Sequence, residues 1–167
     1  MRRIIMSNIK LSRVDNRYIH GQVNARLIKE YNITKVLMIS DINAKDPFMS
    51  TLYKSVAIGY TVDILGIEDA VEAWNSGVYQ TENMMLLWGN IKDAYDTLQA
   101  GLKFDFIALA NIPGEVGAVQ VNASCYISEK EADYLRSMND EGVEIYFQAM
   151  PSLPKTTLEK ALQITKL

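Results

Sequence analysis

The sequence predicts an α/β fold, an open mixed, mostly parallel β-sheet with helices on both faces, built as a single domain over residues 1–167. Three observations carry this. Short apolar runs alternate with longer amphipathic ones from end to end. The strand candidates, Lys35 to Ser40 above all, are apolar nearly throughout rather than at every second position, as in strands covered on both faces. No linker-length stretch rich in Pro, Gly or Ser divides the chain, and no internal repeat is present.

Taken in order, Ile9 to Val14 is expected to form the first strand, with the basic and then apolar run Met1 to Met6 as its lead-in. Ser7, Asn8 and Lys10 break that run too early for a secretory signal core. Gly21 to Tyr31 is expected to be a helix with Val23, Leu27, Ile28 and Tyr31 on one face. After the strand Lys35 to Ser40, Pro47 suits the first turn of a helix running to about Ala57, with Asp46 as its cap. Thr61 to Leu65 is a strand, and Ile67 to Ser76 a helix ended by Gly77. Asn83 to Leu87 is the next strand, and Asn90 caps a helix that stops at Gly101. Phe104 to Ala110 is a strand, followed by a loop from Asn111 to Gly117 with Pro113, Gly114 and Gly117 as breakers. Val119 to Val121 and Cys125 to Ile127 are short extended pieces. Ser128 and Glu131 form a capping box for a helix that stops at Gly142. Glu144 to Ala149 is the last strong strand, and Thr156 to Leu167 a final helix.

Composition narrows the function classes. Hydrophobic residues are 49% and charged residues 22% of the 167, which fits a packed globular core. The formal net charge of −3 gives no global positive field for nucleic acid or acidic lipid. One cysteine, Cys125, excludes an intrachain disulfide and a thiolate metal cluster, and fits a reducing compartment. No segment reaches the roughly 18 apolar residues of a membrane span. Any work at a membrane is therefore expected through a docked partner. Dinucleotide, nucleoside-triphosphate, zinc-protease and nucleophile-elbow motifs are all missing.

Open parallel sheets place their sites beyond the carboxyl ends of the strands. The first such loop holds Arg13-Val14-Asp15-Asn16-Arg17-Tyr18-Ile19-His20-Gly21-Gln22, with the only histidine of the chain at a loop-to-helix junction. Helix-start amides point outward with partial positive charge. A phosphate at His20 would be received by the amides of Gly21, Gln22 and Val23. Gly21 lets the backbone approach closely, and Arg13 and Arg17 are placed to act as phosphate contacts, as positioning residues or as partner-docking charges. Asp15 is placed to accept a proton from one imidazole nitrogen and so fix the tautomer in which the other attacks. The bland reading stands beside this one: an exposed loop histidine, solvated arginines and an ordinary turn aspartate. Asp41, Asn43 and Asp46 after the second strand read as turn and cap residues at least as readily as site residues. Trp74, Trp88 and the methionines read as core or rim, and Cys125 as a small buried hydrophobe.

The ten-residue run resembles the R-[IV]-D-x-R-x-[IL]-H-G-Q signature of the IIB components of the mannose/fructose/sorbose-type sugar phosphotransferase system, with eight positions fitting at the right spacing. The likeness extends through Ser40-Asp41, Asp46-Pro47 and Gly142-Val143-Glu144, and so over nearly the whole chain. The resemblance implies that Nδ1 of His20 is the phosphoryl acceptor and donor. It implies a IIA domain as phosphoryl donor, a membrane IIC/IID permease holding the sugar substrate, and a homodimer as a possible assembly. No cofactor, metal or nucleic acid is implied. Asn16, the turn Ala110 to Gly114 and the stretch Asn122 to Cys125 depart from the commoner family pattern, and these positions bear on the sugar and partners rather than on the phosphohistidine. The alternative is a non-transporting regulatory or phosphate-ligand-binding protein on the same fold.

Overall fold

The computed structural model describes residues 8–167; the proposed lead-in Met1 to Met6 lies outside the described residues. In chain order the elements are β1 (Ile9–Asp15), α1 (Gly21–Glu30), β2 (Lys35–Ile39), α2 (Asp41–Ala44), α3 (Pro47–Ser55), β3 (Thr61–Leu65), α4 (Ile67–Asn75), β4 (Met84–Trp88) and α5 (Ile91–Gln99). There follow β5 (Phe106–Asn111), β6 (Val119–Gln120), β7 (Tyr126–Ile127), α6 (Glu129–Asp140), β8 (Glu144–Phe147), β9 (Thr156–Thr157) and α7 (Leu158–Thr165).

One sheet runs in the order β3-β2-β4-β1-β5-β8-β9, parallel throughout except for β9, which pairs antiparallel with β8. The short pieces β6 and β7 pair antiparallel as a separate hairpin. The inner strands β1, β2, β4 and β5 have both sides covered, which is why polar alternation is missing from them. Val36 and Met38 enter one core while Leu37 and Ile39, at the intervening positions, enter the other.

The two cores belong to opposite sheet faces. Leu27 and Ile28 of α1, with Tyr53 of α3, pack against Leu11, Val36, Met38, Met85 and Leu87. On the other face Val71 of α4, Ile91 and Leu98 of α5, Leu135 of α6 and Leu158 of α7 cover Val14, Leu37, Leu86, Trp88 and Phe147. Strand order explains the split. From β1 the chain moves outward through β2 to β3, then returns past them to β4 and on through β5 to β8. Right-handed crossovers taken in opposite directions place their helices on opposite faces. β1 therefore sits between β4 and β5 while its own loop leads to the other face. The crevice that opens at such a reversal lies beyond the end of β1.

Helix starts follow the expected chemistry. The Asp46 carboxylate accepts from the amides of Phe48 and Met49, with Pro47 at the first helical position. Asn90 accepts from Asp93 N, and Ser128 with Glu131 completes the capping box. Two differences stand out. Asp41–Ala44 forms a short helix capped by Ser40, where the sequence suggests only a turn; four residues are too few to show a period. Thr156 and Thr157, expected inside the last helix, form β9 instead, pairing with Phe147 and Tyr146 before Thr157 caps α7. Two β-branched residues beside an open sheet edge gain ladder hydrogen bonds that local periodicity does not reveal.

Candidate functional site

The site is organised around a carboxylate. Asp15, the last residue of β1, has no side-chain exposure and accepts four hydrogen bonds. Its Oδ2 receives Arg13 Nη2 at 3.1 Å and lies 3.0 Å from His20 Nε2. Its Oδ1 receives the Arg17 amide at 3.0 Å and Arg17 Nε at 3.3 Å. Arg13 and Asp15 stand two residues apart on one strand and so project to the same face. The sheet thus places cation and carboxylate together beneath the loop, and the loop folds back over them.

Burial raises the pKa of the Asp15 carboxyl, but the hydrogen bond with His20, the charge of Arg13 and the Arg17 amide outweigh it and hold the group below its ordinary value. Burial lowers the pKa of Arg13, and Asp15 offsets part of this; the guanidinium stays charged.

His20 sits at the N-cap of α1 in extended conformation, its side chain 24% exposed. With Nε2 on Asp15, the tautomer that donates from Nε2 leaves a lone pair on Nδ1. The backbone is fixed independently: His20 N donates to Asn24 Oδ1 at 3.1 Å. Asn24 is buried, and its Nδ2 has no hydrogen-bond partner among the described residues. The N-cap offers no side-chain acceptor to the first-turn amides of α1, so that end of the helix can receive an anion. Gly21 has φ +43° with nothing within 4 Å of a built Cβ, so the conformation and not crowding calls for glycine there. Gln22 stands in the first turn of α1, and its side chain lies outside those described.

The two arginines separate. Arg13 is 4% exposed at its side chain and is committed to Asp15 and, through Nη1 at 2.9 Å, to the Ala149 carbonyl. Of the roles open to it from sequence, positioning is the one that this burial fits. Arg17 is 51% exposed, and its bond to Asp15 uses only Nε. Among the described residues its outer nitrogens have no hydrogen-bond partner.

Sequence reasoning misses several supports. Asn24 escapes because its capping contact is made to i−4, one position beyond the capping-box spacing. Asn16 and Asn111 pair through their side chains, joining the loop to the end of β5. Tyr18 reaches Ser40 at 3.3 Å. The residues with bland readings are structural: Asp41 Oδ1 accepts from Ile67 N, Asn43 donates to Ser40, and Trp88 Nε1 donates to Thr97 Oγ1 inside the core. Cys125 is fully buried, and burial pushes its thiol up to about 11. Among the described residues, no His, Cys, Asp and Glu side chains are grouped to hold a metal ion, and no helix is long and apolar enough to cross a membrane.

Comparison with known proteins gives one answer. The profile described as PTS system sorbose subfamily IIB component matches residues 9–167. The mannose-specific EIIAB component of Escherichia coli K12 is 30% identical over 148 residues, covering 88% of this chain and 46% of that relative. This chain thus spans just under half the length of that protein. The fructose-specific EIIB component of Bacillus subtilis is 28% identical over 88% of this chain and 91% of its own length. In fold, the crystal structure of the IIBSor domain of the Klebsiella pneumoniae sorbose permease superposes with a TM-score of 0.87 at 23% identity, covering 93% of this chain and 96% of that one.

Proposed function

This chain belongs to the sorbose subfamily of IIB components of the sugar phosphotransferase system, and on that premise we propose that it is a phosphocarrier working through His20. The phosphohistidine of a IIA domain presents its phosphorus to His20. The Nδ1 lone pair attacks in line, the new N–P bond forms as the donor's N–P bond breaks, and the donor imidazole leaves with its electron pair. The ring, still protonated on Nε2, gains positive charge, which the Asp15 carboxylate balances at hydrogen-bond distance. The amides at the start of α1 and the outer nitrogens of Arg17 receive the phosphoryl oxygens. Arg13 keeps Asp15 ionised and oriented.

In the second half-reaction a sugar hydroxyl, held by the membrane IIC/IID permease, attacks the phosphorus. The Nδ1–P bond breaks, its electrons return to the ring, and the hydroxyl proton is released. Residues 1–167 act in this reading as one cytoplasmic phosphotransferase unit, docked at the membrane through the permease and needing no cofactor. The observation that carries the proposal is the 3.0 Å contact of Asp15 with Nε2, which leaves Nδ1 as the nucleophile.

The test is intact-mass and phosphohistidine analysis after incubation with phosphoenolpyruvate, enzyme I, HPr and a mannose-family IIA domain. The expected result is one acid-labile phosphate on the wild type and none on His20→Gln. No gain with several IIA domains would overturn the phosphocarrier reading.

A further inference from the structure

Tyr18 has φ +55°, a left-handed conformation that a bulky aromatic residue rarely takes. Its amide closes a turn onto the Asp15 carbonyl at 2.9 Å, two residues before His20. What holds it there comes from other elements. Its hydroxyl donates to Ser40 Oγ at 3.3 Å, at the end of β2. Ser40 is itself anchored, since the same oxygen accepts the Asn43 amide at 3.2 Å. The Tyr18 ring leans on that of Tyr53 in α3, with centroids 5.8 Å apart.

The tightest fit is with Gly89, directly after β4. A Cβ there would stand 2.2 Å from Tyr18 Oη and 2.4 Å from Cζ. Gly89 is not among the glycines with positive φ, so backbone freedom is not what requires it; the space for the ring is. The strand behind it has little room to give, because Trp88 is fully buried and bonded to Thr97.

We propose that Tyr18 is a positioning residue for the phosphoryl-accepting loop and that Gly89 is the notch that admits its ring. The ends of β2 and β4 then set where His20 stands, while Asp15 sets how its imidazole is turned. The proposal rests on the phosphocarrier reading for its kinetic readout only.

The test is a double-mutant cycle of Gly89→Ala and Tyr18→Leu, reading the transfer rate at saturating IIA donor and the His20 tautomer by nitrogen-proton couplings in NMR. Gly89→Ala is expected to lower the saturated rate by roughly tenfold or more, since small misplacements of a reacting group carry penalties of that order. It is also expected to reduce the population protonated on Nε2. In the Tyr18→Leu background the same substitution should cost about twofold at most, because coupled neighbours do not add. A Gly89→Ala protein that transfers within about twofold of wild type, or equal penalties in both backgrounds, overturns the proposal. If the wild type takes up no phosphate, the phosphocarrier reading fails by itself, and the tautomer alone decides whether Gly89 and Tyr18 position His20.

Discussion

Asp15 Oδ2 lies 3.0 Å from His20 Nε2, and no part of the Asp15 side chain reaches solvent. The contact decides which ring nitrogen is free. Asp15→Asn replaces an acceptor with a group that can also donate, and an amide N–H facing Nε2 favours the proton on Nδ1. The attacking lone pair is then lost in most molecules. We expect phosphoryl transfer to fall by roughly 100-fold or more, as when a catalytic histidine is held in the wrong tautomer. Single-turnover transfer from a phosphorylated IIA domain measures it, and a loss of under fivefold would leave Asp15 without this role.

The same carboxylate makes stability depend on pH. Its pKa in the folded protein is below the ordinary value, so protons bind more readily to the unfolded chain. The stabilisation is fully present above the unfolded value of about 3.9 and is lost as pH falls through the lower folded one. Urea midpoints for wild type and Asp15→Asn should differ by a steady amount near neutrality and converge on acidification. A gap that widens in acid would give the shift the opposite sign.

Much of this architecture is readable in the residues, for identifiable reasons. The continuous apolar run of β2 announces two covered faces, and Asp46-Pro47, Asn90 and Ser128 with Glu131 carry their capping chemistry locally. His20 stands out as the only histidine at a helix start after a strand. What stays hidden depends on distant partners. Thr156 and Thr157 become a strand only because β8 offers an edge. Arg13 and Arg17 look alike in sequence, yet one is 4% and the other 51% exposed, because one lies in a strand and the other in the loop above it. The Tyr18 ring over Gly89 joins residues 71 positions apart, and no local spacing predicts it.

Arg17 provides a separation of stability from chemistry. It is half exposed and its bond to Asp15 is long, at 3.3 Å. Asp15 keeps Arg13, His20 and the residue-17 amide without this side chain, and the half-exposed guanidinium is well hydrated, so Arg17→Ala should unfold within about 1 kcal/mol of wild type, the range of exposed pairs. Transfer should fall by more than twofold if the outer guanidinium nitrogens hold the phosphoryl oxygens as proposed. Arg17→Lys should recover part of the rate by charge without the planar fork. Transfer in Arg17→Ala that stays within twofold of wild type removes Arg17 from the phosphate contacts.

Arg13 should behave in the opposite way. Its guanidinium is buried with Asp15 and also satisfies the Ala149 carbonyl at 2.9 Å. Arg13→Met keeps the unbranched apolar stem but leaves the buried carboxylate without its cation and the carbonyl without its donor. Breaking one side of a buried pair costs about 3 kcal/mol or more, so the loss should be large in urea unfolding at neutral pH. It should shrink in acid, where Asp15 takes up a proton and no longer needs the partner. The sign follows from the electrostatics: Arg13 is one of the groups holding the Asp15 pKa down, and without it protonation begins at higher pH. Transfer should fall at neutral pH together with stability, in contrast to Arg17→Ala. An Arg13→Met protein as stable as wild type would mean that Arg17 and His20 suffice to hold the carboxylate, and that Arg13 is not the base of the site.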